Sequence, residues 1–343
     1  MVRPGAGPRD RADDAAVLLF SCSPCVAAAV STSYRSVEWV LLSRDRAGNA
    51  HLRRLLGAPP EGGLAKPGGE AGGGEGAPRR PPEDFSRAGG DEPWAREFTR
   101  LLVEDPTFTN LACMKSKQLK KELVEGVACV ARVEEALGRI RGRRAGLSAE
   151  LERTGEGLLV VDLCSGKGAA GLMLALRFPS AVVRCVDLRP PAEKDLHEGV
   201  FENVERVTGD VYDDALIERV FASKAGYAGV CVLLGMHLCG DLSRRAVEIF
   251  DTREAVDCAL VAPCCLQRQV AKRLRPANSW GYDTTELARK AGMEPIVLWL
   301  QRLLEASSAA PQAKRIWNDT DMLSVRNAFV EMYRGGVDIA TGA

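Results

Sequence analysis

Past Gly157 the chain alternates between short, continuously apolar runs and stretches that carry a single apolar stripe. The runs near 159–164, 181–187, 204–208, 229–236, 256–262, 294–300 and 325–333 predict seven strands. The stretches near 168–178, 213–223, 241–250 and 283–291 predict helices. The last of these has a capping box, Asp283 with Glu286 three residues on, and Gly292 beyond its end. Strands that are apolar throughout are buried on both faces, as in parallel sheets. Alternating βα units of this length predict an α/β fold with a doubly wound, Rossmann-like, seven-stranded and mostly parallel sheet over 151–343.

Ahead of the sheet, Phe98, Leu101 and Leu102 lie at helical spacing, and Asp105-Pro106 stops that helix. A longer helix is expected from Ser116 to Ile140, with a stripe of Leu119, Leu123, Val127, Val130, Leu137 and Ile140. Residues 94–150 therefore read as a helical extension. Residues 1–93 read as low-complexity and disordered, because Gly57–Pro93 is about half glycine and proline and buries too little to offset its ordering entropy. Ala15–Val30 is weak as a targeting segment, since Asp10, Asp13 and Asp14 precede it and such segments avoid acids. Cys22 and Cys25 form an isolated C-x-x-C without a second ligand pair, so no metal is expected there.

Composition narrows the class only a little. The net charge is zero and the pI about 6.8, so any nucleic-acid role needs a local basic surface. Lys115, Lys117, Lys120 and Lys121 form one such cluster, and Arg139, Arg141, Arg143 and Arg144 a second. The eleven cysteines are scattered and odd in number, several inside apolar strands, which suits a reducing compartment without structural disulfides. No apolar run is long enough to span a bilayer, and a cytoplasmic or nuclear location is expected.

The unusual residues fall where an open α/β sheet binds ligands, beyond the carboxyl ends of its strands. The first strand ends in Asp162 and a turn in which Gly166, Gly168 and Gly171 complete G-x-G-x-x-G. The second ends in Asp187, at the spacing of a ribose-binding acid, and the third leads to Gly209-Asp210. The fourth ends in Gly235-Met-His-Leu-Cys-Gly-Asp241, and the fifth in Pro263-Cys264-Cys265. A dinucleotide pyrophosphate needs a helix N-terminus free of negative charge. S-adenosylmethionine instead presents an ammonium and a sulfonium, which suit carboxylates. The position of Asp162 favours S-adenosylmethionine as cofactor; its alternative role is to cap the amides of the turn.

The segment Val161-Asp-Leu-Cys-Ser-Gly-Lys-Gly168 resembles motif I of class I S-adenosylmethionine-dependent methyltransferases. Met236-His-Leu-Cys-Gly-Asp-Leu-Ser243 and Ala262-Pro-Cys-Cys265 are similar to a narrower His-x-Cys-Gly group, related to the tRNA 2′-O-methyltransferases acting on the acceptor stem. The resemblance implies that Asp162, Gly166, Gly168 and Asp187 hold the cofactor, with Asp210 at the adenine; Cys164, Ser165 and Gly235, in the same turn and strand end, complete the expected cofactor set. The resemblance puts His237, Cys239 and Gly240 beside the transferred methyl and does not require zinc; the expected catalytic set is His237, Cys239 and Asp241, with no metal. Cys164 departs from the family's first motif glycine, and Cys-Cys-Leu-Gln at 264–267 departs from the Cys-Cys-His-His of the tRNA enzymes. The first 93 residues also lack those enzymes' Cys/His zinc modules.

Methyl transfer from a sulfonium is an in-line displacement, so the protein's main task is alignment. His237 is the one histidine at this edge and is either a general base or a fastener of its loop. Trp280 and Tyr282 suit a substrate lid or a helix anchor. The expected function is methylation of RNA, tRNA or rRNA, with RNA bound through the local basic clusters. The alternatives are a non-catalytic subunit that binds the cofactor and an NAD-linked oxidoreductase.

Overall fold

The computed structural model describes residues 93–109, 111, 113–114, 119–190, 201–222, 229–264, 288–290, 292, 294–319, 322, 327–335 and 337. Before the sheet come α1 (Pro93–Glu104), α2 (Pro106–Thr109), α3 (Leu119–Arg143) and α4 (Ala149–Thr154). The sheet region runs β1 (Leu158–Leu163), α5 (Ala169–Arg177), β2 (Val182–Asp187), β3 (Val204–Thr208), α6 (Asp214–Phe221), β4 (Val230–Met236), α7 (Asp241–Thr252) and β5 (Cys258–Ala262). It closes with α8 (Pro295–Ala306), β6 (Lys314–Asn318) and β7 (Ala328–Tyr333). The expectations for 1–92 lie outside the described residues, as do Trp280, Tyr282, Asp283 and Glu286.

The seven strands are ordered β3-β2-β1-β4-β5-β7-β6, parallel up to β5 and antiparallel at β7 and β6. Alternate strand residues feed two cores. Val160, Val183, Val232 and Leu260 pack under α1, α3 and α5, while Leu159, Val161, Leu233 and Val261 pack under α6, α7 and α8. β1 is buried at every position, which accounts for its continuous apolar reading. The helical extension and the sheet share the first of these cores, so a boundary at 150 separates elements that pack as one body. No described helix is long and apolar enough to cross a membrane.

Two expected elements differ. The run 294–300 forms the start of helix α8 rather than a strand. Pro295 opens the helix, Leu298, Trp299, Leu300 and Leu303 are buried, and Val297 is exposed, which is the one-sided burial of a helix. An unpatterned apolar run of that length does not distinguish helix from strand. Trp299 Nε1 donates to the buried Ser243 Oγ at 2.8 Å, fastening α8 to α7. The seventh strand is β6, at the sheet edge. It carries Lys314, Arg315 and Asn318, so it lacks an apolar signature, and charge on an edge strand discourages unwanted pairing. Arg315 joins Glu331 of β7 and Glu135 of α3 at 2.8 and 2.9 Å, and Arg132 and Arg315 both lie 4.7 Å from the centre of the Trp317 ring.

Close approach of α5 to the sheet sets the site's geometry. A Cβ on Gly171 would stand 2.3 Å from Cys185 Sγ on β2. Gly171→Ala is therefore expected to destabilise the protein by about 1–3 kcal/mol in urea denaturation, as overpacked cores do. Adding Cys185→Ala should recover part of that loss, and simple additivity of the two changes would refute the close contact.

Candidate functional site

The turn after β1 is held from three sides. Ser165 N donates to Val186 O at 3.0 Å, and Gly168 N to Ser165 O at 2.8 Å. Gly166 N donates to Asp187 Oδ2 at 2.9 Å, while Arg189 N donates to Oδ1 of the same carboxylate. Arg206 on β3 donates to Gly166 O at 3.0 Å. Asp187 thus pins the glycine turn to the end of β2. A Cβ on Gly166 would meet nothing within 4 Å, so the space above the turn is open.

Cys164 takes φ +56° and His237 takes φ +58°, the only non-glycine positive φ values among the described residues. The left-handed region costs an L-residue energy that surrounding contacts must offset. Both residues follow the carboxyl ends of adjacent parallel strands, β1 and β4. Cys164 thus meets the backbone demand that its departure from glycine raises: the turn opens with the glycine-like conformation imposed on a cysteine. Burial, reinforced by Asp187 and Asp162, pushes its thiol up to about 12, which keeps it neutral and inert as a nucleophile.

Between these strand ends lies a cavity of about 260 Å³. Its floor is Asp162 and the turn from Cys164 to Ala170, and it is walled by Met236 and His237 and by Glu122, Glu125 and Gly126 of α3. Asp162 is 2% exposed, and its Oδ2 has no hydrogen-bond partner. Burial raises its carboxyl to about 7; the Arg206 charge pulls against that shift, and Asp187 adds to it. A buried acceptor without a partner, at the floor of an open cavity, suits a cationic ligand group.

Of the expected residues, Asp162, Cys164, Ser165, Gly166, Gly168 and His237 line the cavity. Asp187, Asp210, Gly235, Cys239 and Asp241 are not on its lining. Asp210 Oδ1 accepts from Tyr212 N at 3.0 Å. A Cβ on Gly235 would stand 2.4 Å from Leu238 Cδ1, so this glycine makes room for Leu238. Asp241 opens α7, accepting from Arg244 Nε at 2.8 Å and from the Tyr212 hydroxyl at 3.2 Å. Cys239 and Cys264 hold their sulfurs 3.1 Å apart and direct both thiols at the His237 carbonyl, at 3.5 and 3.4 Å. No three metal-ligating side chains converge among the described residues, and Cys265 lies outside them.

Sequence reasoning missed the α3 wall and Arg206. The signal for the wall was present: Glu125 and Gly126 interrupt an otherwise apolar stripe, and Glu125 is 5% exposed. Gly126 allows α3 to approach α5, since a Cβ there would stand 3.0 Å from Met173 Cγ. The two basic clusters separate. Lys121 Nζ lies 3.4 Å from Glu125 Oε1 at the cavity, whereas Lys115 and Lys117 are outside the described residues. Arg144 instead reaches Gly229 O and Asp257 at the amino ends of β4 and β5, and Arg141 pairs with Glu152 at 2.9 Å. The 139–144 cluster is therefore at the sheet edge opposite the cavity.

Residues 133–273 match the family model described as a methyltransferase domain. The match contains the glycine turn, Asp187 and the β4 loop. No curated protein matches the sequence. Among solved structures, an O-methyltransferase family protein from Burkholderia thailandensis is 16% identical with a TM-score of 0.32, over 63% of this chain and 59% of that one. The fibrillarin pre-rRNA processing protein of Methanococcus jannaschii is 12% identical with a TM-score of 0.33, over 58% and 74%. Human N-acetylserotonin methyltransferase, solved with S-adenosylmethionine, is 14% identical with a TM-score of 0.31, over 67% and 59%. The chain thus spans less than two thirds of the first and third of these proteins. Likeness this remote identifies no substrate.

Asp162 gives the ligand-free protein a pH signature. Below about pH 4 its carboxyl is protonated folded or unfolded; between there and about 7 only the folded state keeps the proton. Its contribution to stability therefore falls by roughly 1.4 kcal/mol per pH unit across that window and levels off above it. Urea denaturation from pH 4 to 8 should show Asp162→Asn gaining on the wild type as pH rises, and parallel curves would contradict a buried, unpartnered Asp162.

Proposed function

We propose that the protein is an S-adenosylmethionine-dependent methyltransferase that methylates RNA. The observation that carries the cofactor reading is the buried, unpartnered Oδ2 of Asp162 at the floor of the cavity. A pyrophosphate there would meet the carboxyl groups of Asp162, Glu122 and Glu125, which disfavours a nicotinamide dinucleotide. The ammonium of S-adenosylmethionine supplies the missing donor and, by favouring the charged form, lowers the pKa of Asp162 on binding. Asp187, already fixed by two backbone N–H groups, has lone pairs left for the ribose hydroxyls. A role for Asp210 at the adenine edge is supported by its position just beyond β3, the strand next to β2 in the sheet.

The cofactor brings a methyl group on a sulfonium. The chain's own task is to bind that group, exclude water and align an acceptor. The open space above Gly166 leaves the methionine portion unobstructed, and Met236 and His237 bound the cavity on the acceptor side. RNA as the acceptor is supported by the lysines at 115–121, which lead directly into the α3 wall with Glu122 and Glu125. The 139–144 arginines, at the other end of α3, play no part in this reading.

Two measurements test the proposal. By calorimetry, Asp162→Asn and Asp187→Ala should each weaken S-adenosylmethionine binding by about 1–3 kcal/mol, the cost of losing a charge-assisted contact. Unchanged affinity in both would remove the cofactor assignment. With labelled S-adenosylmethionine and fractionated cell extract, label should enter RNA. Lys115→Glu with Lys117→Glu should lower that transfer at 150 mM salt, while Arg141→Ala with Arg143→Ala should not. Label confined to protein or small molecules would overturn the RNA reading.

A further inference from the structure

The α3 wall contributes a side chain that touches the cavity's histidine. Glu125 Oε1 lies 2.8 Å from His237 Nε2, although without the alignment of a straight hydrogen bond. Lys121 Nζ, which can only donate, is 3.4 Å from the same oxygen. A carboxylate oxygen this close has no proton to offer, so its charge attracts a proton onto the nitrogen that faces it. That places the proton of a neutral His237 ring on Nε2 and leaves the lone pair on Nδ1.

The backbone of His237 is held against its own preference. Its φ of +58° is maintained by Leu238 N bonding Ala262 O at 3.1 Å and by the two thiols on its carbonyl. Strain kept in place by several contacts marks positions where a side chain must be aimed. The titratable groups that share the cavity with His237 are Glu122 and Glu125 from α3 and Asp162, Cys164 and Lys167 from β1 and its turn; Lys121 reaches Glu125, and Cys239 and Cys264 meet the His237 carbonyl.

We propose that Glu125 is the positioning residue of a Glu125–His237 pair in which His237 Nδ1 takes the proton of a hydroxyl acceptor during methyl transfer. This rests on the methyltransferase reading above and narrows the acceptor to a hydroxyl. In the step, the acceptor oxygen forms a bond to the methyl carbon. The carbon–sulfur bond breaks, and its electron pair goes to sulfur, which becomes a neutral thioether. The hydroxyl proton moves to Nδ1, and the resulting imidazolium, stabilised by the Glu125 carboxyl group, returns it to water after the product leaves.

Nitrogen NMR on the full chain tests the pair without any cofactor. The sequence has three histidines, His51, His197 and His237, and His237→Gln assigns the signal. The neutral ring of His237 should be the Nε2–H tautomer; an Nδ1–H tautomer would overturn the pair. The second arm uses S-adenosylmethionine and total RNA, with methylated nucleosides resolved by mass spectrometry. The product should carry its methyl on oxygen. Glu125→Gln should lower kcat roughly tenfold or more with KM little changed, and should move the kcat–pH midpoint to lower pH. Glu125→Asp should restore part of the rate. An unchanged kcat and pH profile in Glu125→Gln, or a methyl on nitrogen or carbon, would overturn the proton step. Failure to bind S-adenosylmethionine, with the Nε2–H tautomer present, would overturn the methyltransferase reading and the proton step with it, while the Glu125–His237 contact would stand.

Discussion

A carboxylate at the end of a fully buried strand has to be answered by something. Asp162 is that carboxylate, and the site is arranged around its unmet demand. β1 delivers it into the interior, the glycine turn follows it, and its Oδ2 faces the cavity without a hydrogen-bond partner. Arg206 eases the resulting burial at a distance while donating its hydrogen bond to the turn instead. The protein thereby keeps a binding group whose charge is favoured only when a cation arrives.

The geometry that holds this arrangement is paid for in backbone strain at two adjacent strand ends. Cys164 and His237 both enter the left-handed region, one opening the glycine turn and the other the loop after β4, and both line the cavity. Neither is a glycine, so each side chain is retained despite its conformational cost. At Cys164 the retained group is a neutral thiol packed against the site. At His237 it is an imidazole in contact with α3, with two sulfurs bracing the carbonyl behind it.

The parallel half of the sheet was legible because strands buried on both faces must be apolar, and the glycine turn because a tight strand-to-helix passage needs Gly171 against Cys185. The distal half was less so. The apolar run at 294–300 carries no period until Leu303 is included, and β6 is polar because it lies at an edge. In the site, Asp162 was readable from spacing alone, since its place on the strand follows from the turn. Glu125 was harder to read: its contact with His237 spans elements far apart in the sequence and depends on the α3–α5 approach that Gly126 permits. The roles suggested for Asp241 and Gly235 came from sequence neighbourhood; in space Asp241 is tied to Arg244 and Tyr212 at the start of α7, and Gly235 makes room for Leu238.

The position of α3 has a consequence for how this fold can be cut and reused. Residues that match a methyltransferase domain begin at 133, in the second half of that helix, whereas the carboxyl groups that wall the cavity sit about two to three turns earlier. A fragment or graft starting where the matched domain starts would keep the floor of the site and lose a side of it. It would also bare the apolar stripe beneath Val124 and Val127, so the minimal transplantable unit is set by the helix rather than by the sheet.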